Sequence, residues 1–81
     1  MASKLRTLSS DEVTKFLEKH GFEVLGQRGS HIKLRRVSAW GKETVIVPYR
    51  KQIAKGTLKS IFNKASRFIP QDDIHEFFYT E

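Results

Sequence analysis

The stretch Gly29-Ser30-His31-Ile32-Lys33-Leu34-Arg35 places one histidine at the head of a run that alternates strictly between polar and apolar residues. Successive side chains of a β-strand point to opposite faces, so Ile32 and Leu34 turn toward a core while His31, Lys33 and Arg35 share the other face. An imidazole, the side chain that ordinarily changes charge near neutral pH, thereby stands beside two fixed cations. Such a surface attracts a phosphate backbone and holds a group able to accept or donate a proton. RNA cleavage needs little more, although a solvated strand face that happens to contain a histidine has the same pattern.

The chemistry follows from residue types. A metal-dependent nuclease needs clustered carboxylates to hold magnesium, and the segment from Gln27 to Arg67 contains Glu43 alone. RNA carries its own nucleophile, the 2′-hydroxyl. A base that deprotonates it, together with cations that stabilise the charged phosphorane, suffices without metal or other cofactor. His31 is the candidate for proton transfer, and Lys33, Arg35 or Arg28 for electrostatic stabilisation. Products would be a 2′,3′-cyclic phosphate and a 5′-hydroxyl. Tyr49 and lysines are candidates for the acid that serves the leaving oxygen.

Charge is unevenly distributed along the 81 residues, whose formal total is +6. Residues 1–26 are balanced, residues 27–67 carry eleven basic side chains against one acid, and Asp72, Asp73, Glu76 and Glu81 make the tail acidic. A block this cationic repels itself when folded, which a polyanion relieves. A chain this short buries only about 60% of the surface its unfolded form exposes, so a deep substrate cavity is not expected. Cysteine is absent, which removes disulfides and thiolate-bound zinc. No segment approaches the roughly 18 apolar residues of a membrane span. Met1 to Thr7 lacks the apolar stretch of a secretory signal, so the expected location is the cytoplasm and no membrane partner is expected.

The elements that must position His31 can be read in order. Ser9-Ser10-Asp11-Glu12 offers a capping box that opens a helix, with Ser9 as N-cap and Glu12 at the third helical position. Val13, Phe16, Leu17 and His20 fall on one face, and Gly21 suits a left-handed helix end. His20 reads as a cap residue rather than a catalytic one. Phe22-Glu23-Val24-Leu25 predicts a short strand, with Gly26-Gln27-Arg28-Gly29 as the turn into the histidine strand. A second turn, Val37 to Lys42, leads into the β-branched run Glu43-Thr44-Val45-Ile46-Val47, stopped by Pro48. Trp40 in that turn could stack on a base, although a lone turn tryptophan more often folds back onto the sheet edge.

After a polar link from Tyr49 to Lys55, the residues Leu58, Ile61, Phe62 and Ala65 recur at helical spacing, with Phe68 or Ile69 beyond. Pro70 marks a break, and a short last helix over 71–79 would use Ile74, Phe77 and Phe78 as anchors, with His75 on its surface. No internal repeat, low-complexity tract or second domain is evident. The expected fold is α+β: a helix, three antiparallel strands and a helix, with the helices on one face of the sheet and the other face open.

Lys15-Phe16-Leu17-Glu18-Lys19-His20-Gly21-Phe22, then Arg28-Gly29-Ser30-His31, then Val47-Pro48, then Lys55-Gly56-Thr57-Leu58-Lys59-Ser60-Ile61 resembles, in order and spacing, the HicA toxin family, also called YcfA-like. Within a single domain spanning residues 1–81, the resemblance covers about 9–70 and leaves 71–81 as an extension. It implies a double-stranded-RNA-binding-domain-like fold and an mRNA interferase, that is, an endoribonuclease acting on mRNA independently of the ribosome. His31 would be its catalytic residue, with Gly29 shaping the turn before it. It also implies a HicB antitoxin that blocks the toxin and usually represses their shared operon. Some members carry a second histidine beside the catalytic one, where this chain has Ile32.

The RNA-contacting set expected on these grounds is Arg28, Gly29, Ser30, Lys33, Arg35, Lys55 and Lys59, with His31 catalytic and no metal ligands. The main alternative is a non-catalytic RNA-binding module of the same fold, using the Lys55-Gly56-Thr57 helix start against phosphates. A third reading gives the basic surface to an acidic protein, which an antitoxin competing with RNA would also be; it would bury His31 or the adjacent Lys33 and Arg35. The acidic tail would either fold across the basic face as a damper or simply pack through Ile74, Phe77 and Phe78.

Overall fold

A computed structural model describes residues 4–80; Glu81 and the first residues of the N-terminal segment considered above lie outside the described residues. The order is β1 (Lys4–Leu5), α1 (Ser10–Lys19), β2 (Glu23–Arg28), β3 (His31–Ser38), β4 (Gly41–Pro48), α2 (Lys55–Ala65), α3 (Gln71–Phe78) and β5 (Tyr79–Thr80). β2, β3 and β4 form an antiparallel sheet in that spatial order. Ile32 and Leu34 of β3 lie across from Val47 and Val45 of β4, and all four are buried with Val13 and Leu17 of α1, Leu58 and Ile61 of α2, and Ile74 and Phe78 of α3. The helices therefore cover one face, and the alternation in β3 sends His31 and Lys33 to the other.

α1 begins as its capping box dictates. The Ser9 hydroxyl accepts from Glu12 N–H at 3.1 Å, and Glu12 Oε1 accepts from Ser9 N–H at 3.0 Å. These bonds to Ser9, first from its backbone and then its side chain, with help from Arg6, hold the Glu12 carboxyl below its ordinary range. The helix ends at His20, and Gly21 follows at φ +90°. A side chain at Gly21 would also crowd Arg36, whose Nε lies 3.2 Å from the position its Cβ would take.

The turns are tighter than the sequence suggests. β2 runs on through Gly26 to Arg28, and only Gly29 and Ser30 connect it to β3. Gly29 has φ +59° and Ser30 does not have a positive φ, the signature of a two-residue turn whose twist matches the strands it joins. Gly26 is absorbed not by a turn but by a bulge between Val24 and Gly26. The second hairpin likewise turns on Ala39 and Trp40 alone, with Ser38 paired to Gly41. Trp40 does not fold back on the sheet; it is 89% exposed.

Segment 71–80 packs rather than damps. Phe77 stacks on Phe16 of α1 at 4.0 Å, and Phe78 meets Phe62 of α2 edge-on at 5.5 Å. β5 then pairs with β1, a small second sheet that the sequence reading did not anticipate. The acidic segment thus lies on the helical side, away from the outer face of the sheet. His75 is exposed, with its ring stacked on Tyr79 at 4.7 Å.

Candidate functional site

His31 stands at the first position of β3, immediately after the Gly29-Ser30 turn, with Arg28 across from it on β2 and Pro48 on β4. The next outward row sets Lys33 between Gly26 and Ile46, and the one after sets Arg35 between Glu23 and Thr44. The bulge leaves Leu25 as an extra residue beside Gly26, and bulges commonly re-aim a side chain in this way. Leu25, Arg28, His31, Lys33 and Ile46 share a groove of about 740 Å³ with Gly26 and Gln27.

A second groove, of about 800 Å³, lies on the other side of His31 and runs to the start of α2. Its remaining walls include Arg50, Gln52, Lys55 and Thr57. The link from Tyr49 to Ala54 that delivers these residues is not free. Tyr49 N–H donates to Ser30 O at 2.6 Å, Ser10 N–H to Arg50 O at 2.9 Å, Arg50 N–H to Ser10 Oγ at 3.2 Å and Ile53 N–H to Leu8 O at 2.9 Å. Ser10, the one polar residue in the core among the described residues, is thereby satisfied and locks the link to α1.

α2 opens without a side-chain cap and without an acid in its first turn, so its N-terminal dipole faces the groove uncompensated. Among the described residues, no carboxylate lines either groove. Among the described residues no group of three or more His, Cys, Asp or Glu side chains is placed to hold a metal ion. The arrangement can attract an anion from three sides of one exposed imidazole.

Of the expected contact set, Arg28, Lys33 and Lys55 line grooves with His31. Gly29 and Ser30 form the turn beneath it, and Arg35 is half-buried two rows along the same face. Lys59 instead lies in a separate recess with Lys4, Lys55 and Tyr79. Tyr49, an expected candidate for the leaving-group acid, lines a different recess with Ser9, Ser10 and Asp11, because it follows outward-facing Pro48 and takes the opposite parity. Arg50 and Gln52 were missed: they sit in an aperiodic link, and only its tethering to Leu8 and Ser10 brings them to His31. Thr57, expected as part of the helix start of the RNA-binding alternative, lines the same groove.

Two cations counted in the basic block are occupied elsewhere. Arg36 has inward parity and its NH1 donates to His20 O at 2.7 Å and Phe68 O at 3.0 Å, with the guanidinium 5.4 Å from the Phe68 ring centroid. Arg67 pairs with Glu43 at 3.3 Å.

The order α1-β2-β3-β4-α2, with both helices on one face of a three-stranded antiparallel sheet, is a double-stranded-RNA-binding-domain-like fold. Residues 10–66, from the first residue of α1 to just past α2, match the family described as HicA toxin of bacterial toxin–antitoxin. The chain belongs to the HicA toxin family, and so is the toxin of a toxin–antitoxin system with an antitoxin as its implied partner. α3 and β5 lie beyond the matched span. No curated protein and no solved structure matches the chain. No helix among the described residues is long and apolar enough to cross a membrane.

Proposed function

We propose that this toxin is an endoribonuclease that cleaves mRNA without a metal ion, with His31 as the proton-transfer residue. The observation that carries the reading is the meeting of two grooves, lined by no carboxylate among the described residues, at the exposed His31 side chain, with Arg28 and Lys33 on one side and Arg50 and Lys55 on the other. The imidazole takes the proton of a 2′-hydroxyl, whose oxygen attacks the adjacent phosphorus. The P–O5′ bond breaks, leaving a 2′,3′-cyclic phosphate, and the departing 5′-oxygen takes a proton from solvent. Cations and the first turn of α2 stabilise the extra negative charge of the phosphorane, where fixed donors are most effective. A HicB-like antitoxin would block this by laying carboxylates over His31 or the adjacent Lys33 and Arg35.

The test uses wild-type protein and His31→Ala, both verified as folded and as binding RNA, with a structured mRNA in EDTA. Wild type is expected to cleave and His31→Ala to be slower by about 10²- to 10⁴-fold. Cleavage of a substrate whose scissile 2′-hydroxyl is methylated, or equal cleavage by both proteins, rejects the mechanism. Binding without cleavage by either moves the assignment to the non-catalytic RNA-binding module. Added antitoxin should protect His31 from the RNA, and a footprint confined to the helical side rejects that mode of inhibition.

A further inference from the structure

Trp40 is the only tryptophan of the chain, and at 89% exposed it contributes almost nothing to the core. The turn that carries it has no need of a bulky residue: Trp40 N–H donates to Ser38 Oγ at 3.2 Å, and Ser38 Oγ donates to Gly41 O at 3.3 Å. An indole can bury roughly 150–250 Å², and this one stands in water.

The outer face leads directly to it. Starting at His31·Pro48, the rows Lys33·Ile46, Arg35·Thr44 and Val37·Lys42 follow in order, and the hairpin tip is next. Lys33, Arg35 and Lys42 line this path, while the acid of β4, Glu43, has the opposite parity and pairs with Arg67. Glu23 on β2, across from Arg35, is the acid nearest the path by register. At about 3.3 Å per residue, the seven steps from His31 to Ser38 span roughly 23 Å.

We infer that Trp40 is a base-stacking station for single-stranded RNA, placed at the far end of a basic track that begins at His31. The inference rests on the RNA reading above and adds an occupant and a length to it. A basic groove that follows the backbone and ends on an aromatic platform is how single strands are held without sequence readout. Duplex RNA hides its base faces in the stack and is recognised mostly by shape, so the strand that reaches Trp40 must be unpaired there. A strand held at His31 and Trp40 together must span the whole track, which a trinucleotide cannot do.

The test follows the emission of Trp40, which as the lone indole reports its own contact. The probes are a 2′-O-methyl 12-mer, a trimer and a duplex, titrated into wild type, Trp40→Ala and Trp40→Phe, with labelled-strand anisotropy in parallel. The 12-mer is expected to quench emission, and Trp40→Ala to weaken its binding by about 5- to 150-fold, with Trp40→Phe between the two. Affinity for the duplex should not change, that for the trimer should change less than that for the 12-mer, and the melting temperature should not move, since the side chain is almost fully exposed. A 12-mer that binds wild type and Trp40→Ala equally, without quenching, overturns the inference while leaving the RNA reading intact. No binding of any probe by wild type overturns both. Trp40→Ala that binds the 12-mer normally but fails to bind an antitoxin overturns it and gives the tip to the protein partner.

Discussion

Arg35 and Arg36 are adjacent in sequence and have opposite duties, so exchanging each for methionine in turn separates folding from surface charge. Arg36 NH1 serves the carbonyls of His20 and Phe68, one at the end of α1 and one beyond α2, where a cation also opposes the negative helix end. Hydrogen bonds from a charged donor contribute about 1.5–3 kcal/mol each, and the shared donor atom keeps the two from adding fully. The contact with Phe68 adds about 0.5–1 kcal/mol. Arg36→Met, which retains the apolar stem, is therefore expected to cost about 2–4 kcal/mol. In a domain of this size each kcal/mol moves the melting temperature by about 4–8 °C, so the midpoint of thermal unfolding followed by circular dichroism should drop by roughly 8–32 °C. Arg35 faces outward on the His31 side of the sheet and is only half-buried, and Arg35→Met should stay within about 0.5 kcal/mol of wild type. In RNA titrations the ranking reverses. Arg35→Met should lower the log–log salt slope by about 1, and folded Arg36→Met should leave it unchanged. An Arg36→Met protein melting within about 3 °C of wild type, or an equal loss in Arg35→Met, refutes the assignment of the two faces.

Two further outcomes are expected. Deleting 71–81 removes Ile74 and Phe78, each fully buried, at about 1.5–3 kcal/mol per side chain, and strips cover from Phe16 and Phe62; against a total stability of about 5–15 kcal/mol, the truncated chain should lose its cooperative melt, and a sharp transition with faster RNA cleavage would instead revive the damper. Glu12 is held below its ordinary value of 4.5 by Ser9, so its contribution to stability is present above that pH and lost as pH falls through the lower folded value: the gap between wild type and Glu12→Gln in urea melts should be constant near neutrality and close under acid, and a gap that widens under acid contradicts the capping geometry.

What was legible in the sequence was local. Ser9 and Glu12 sit at a fixed capping spacing, and Ile32 and Leu34 at a fixed strand period, so α1 and the outward face of His31 could be read directly. Gly26 and Gly29 could not be told apart as turn formers, because a bulge and a turn use glycine alike; the strand ends were misjudged for that reason. Arg36 looked like one more surface cation until its parity was set against the carbonyls of His20 and Phe68, which lie far from it in sequence. The pairing of Leu5 with Tyr79, and the path of Arg50 and Gln52 to the His31 groove, depend on contacts across the chain that carry no periodic signal.

The two-residue connection between β2 and β3 also bears on folding fidelity. If β3 paired one residue out of step, Ile32 and Leu34 would enter water while His31, Lys33 and Arg35 were driven under the helices, and Arg36 would lose both of its carbonyls. Every side chain changes face in such a slip, and each unpaired charge forced inward costs several kcal/mol. The sheet therefore has a single tolerable alignment, guarded by the same residues that face outward in the native state. A one-residue insertion in β3 is therefore tolerable only where a bulge absorbs it, as Leu25 is absorbed in β2, so this strand accepts substitution far more readily than change in length.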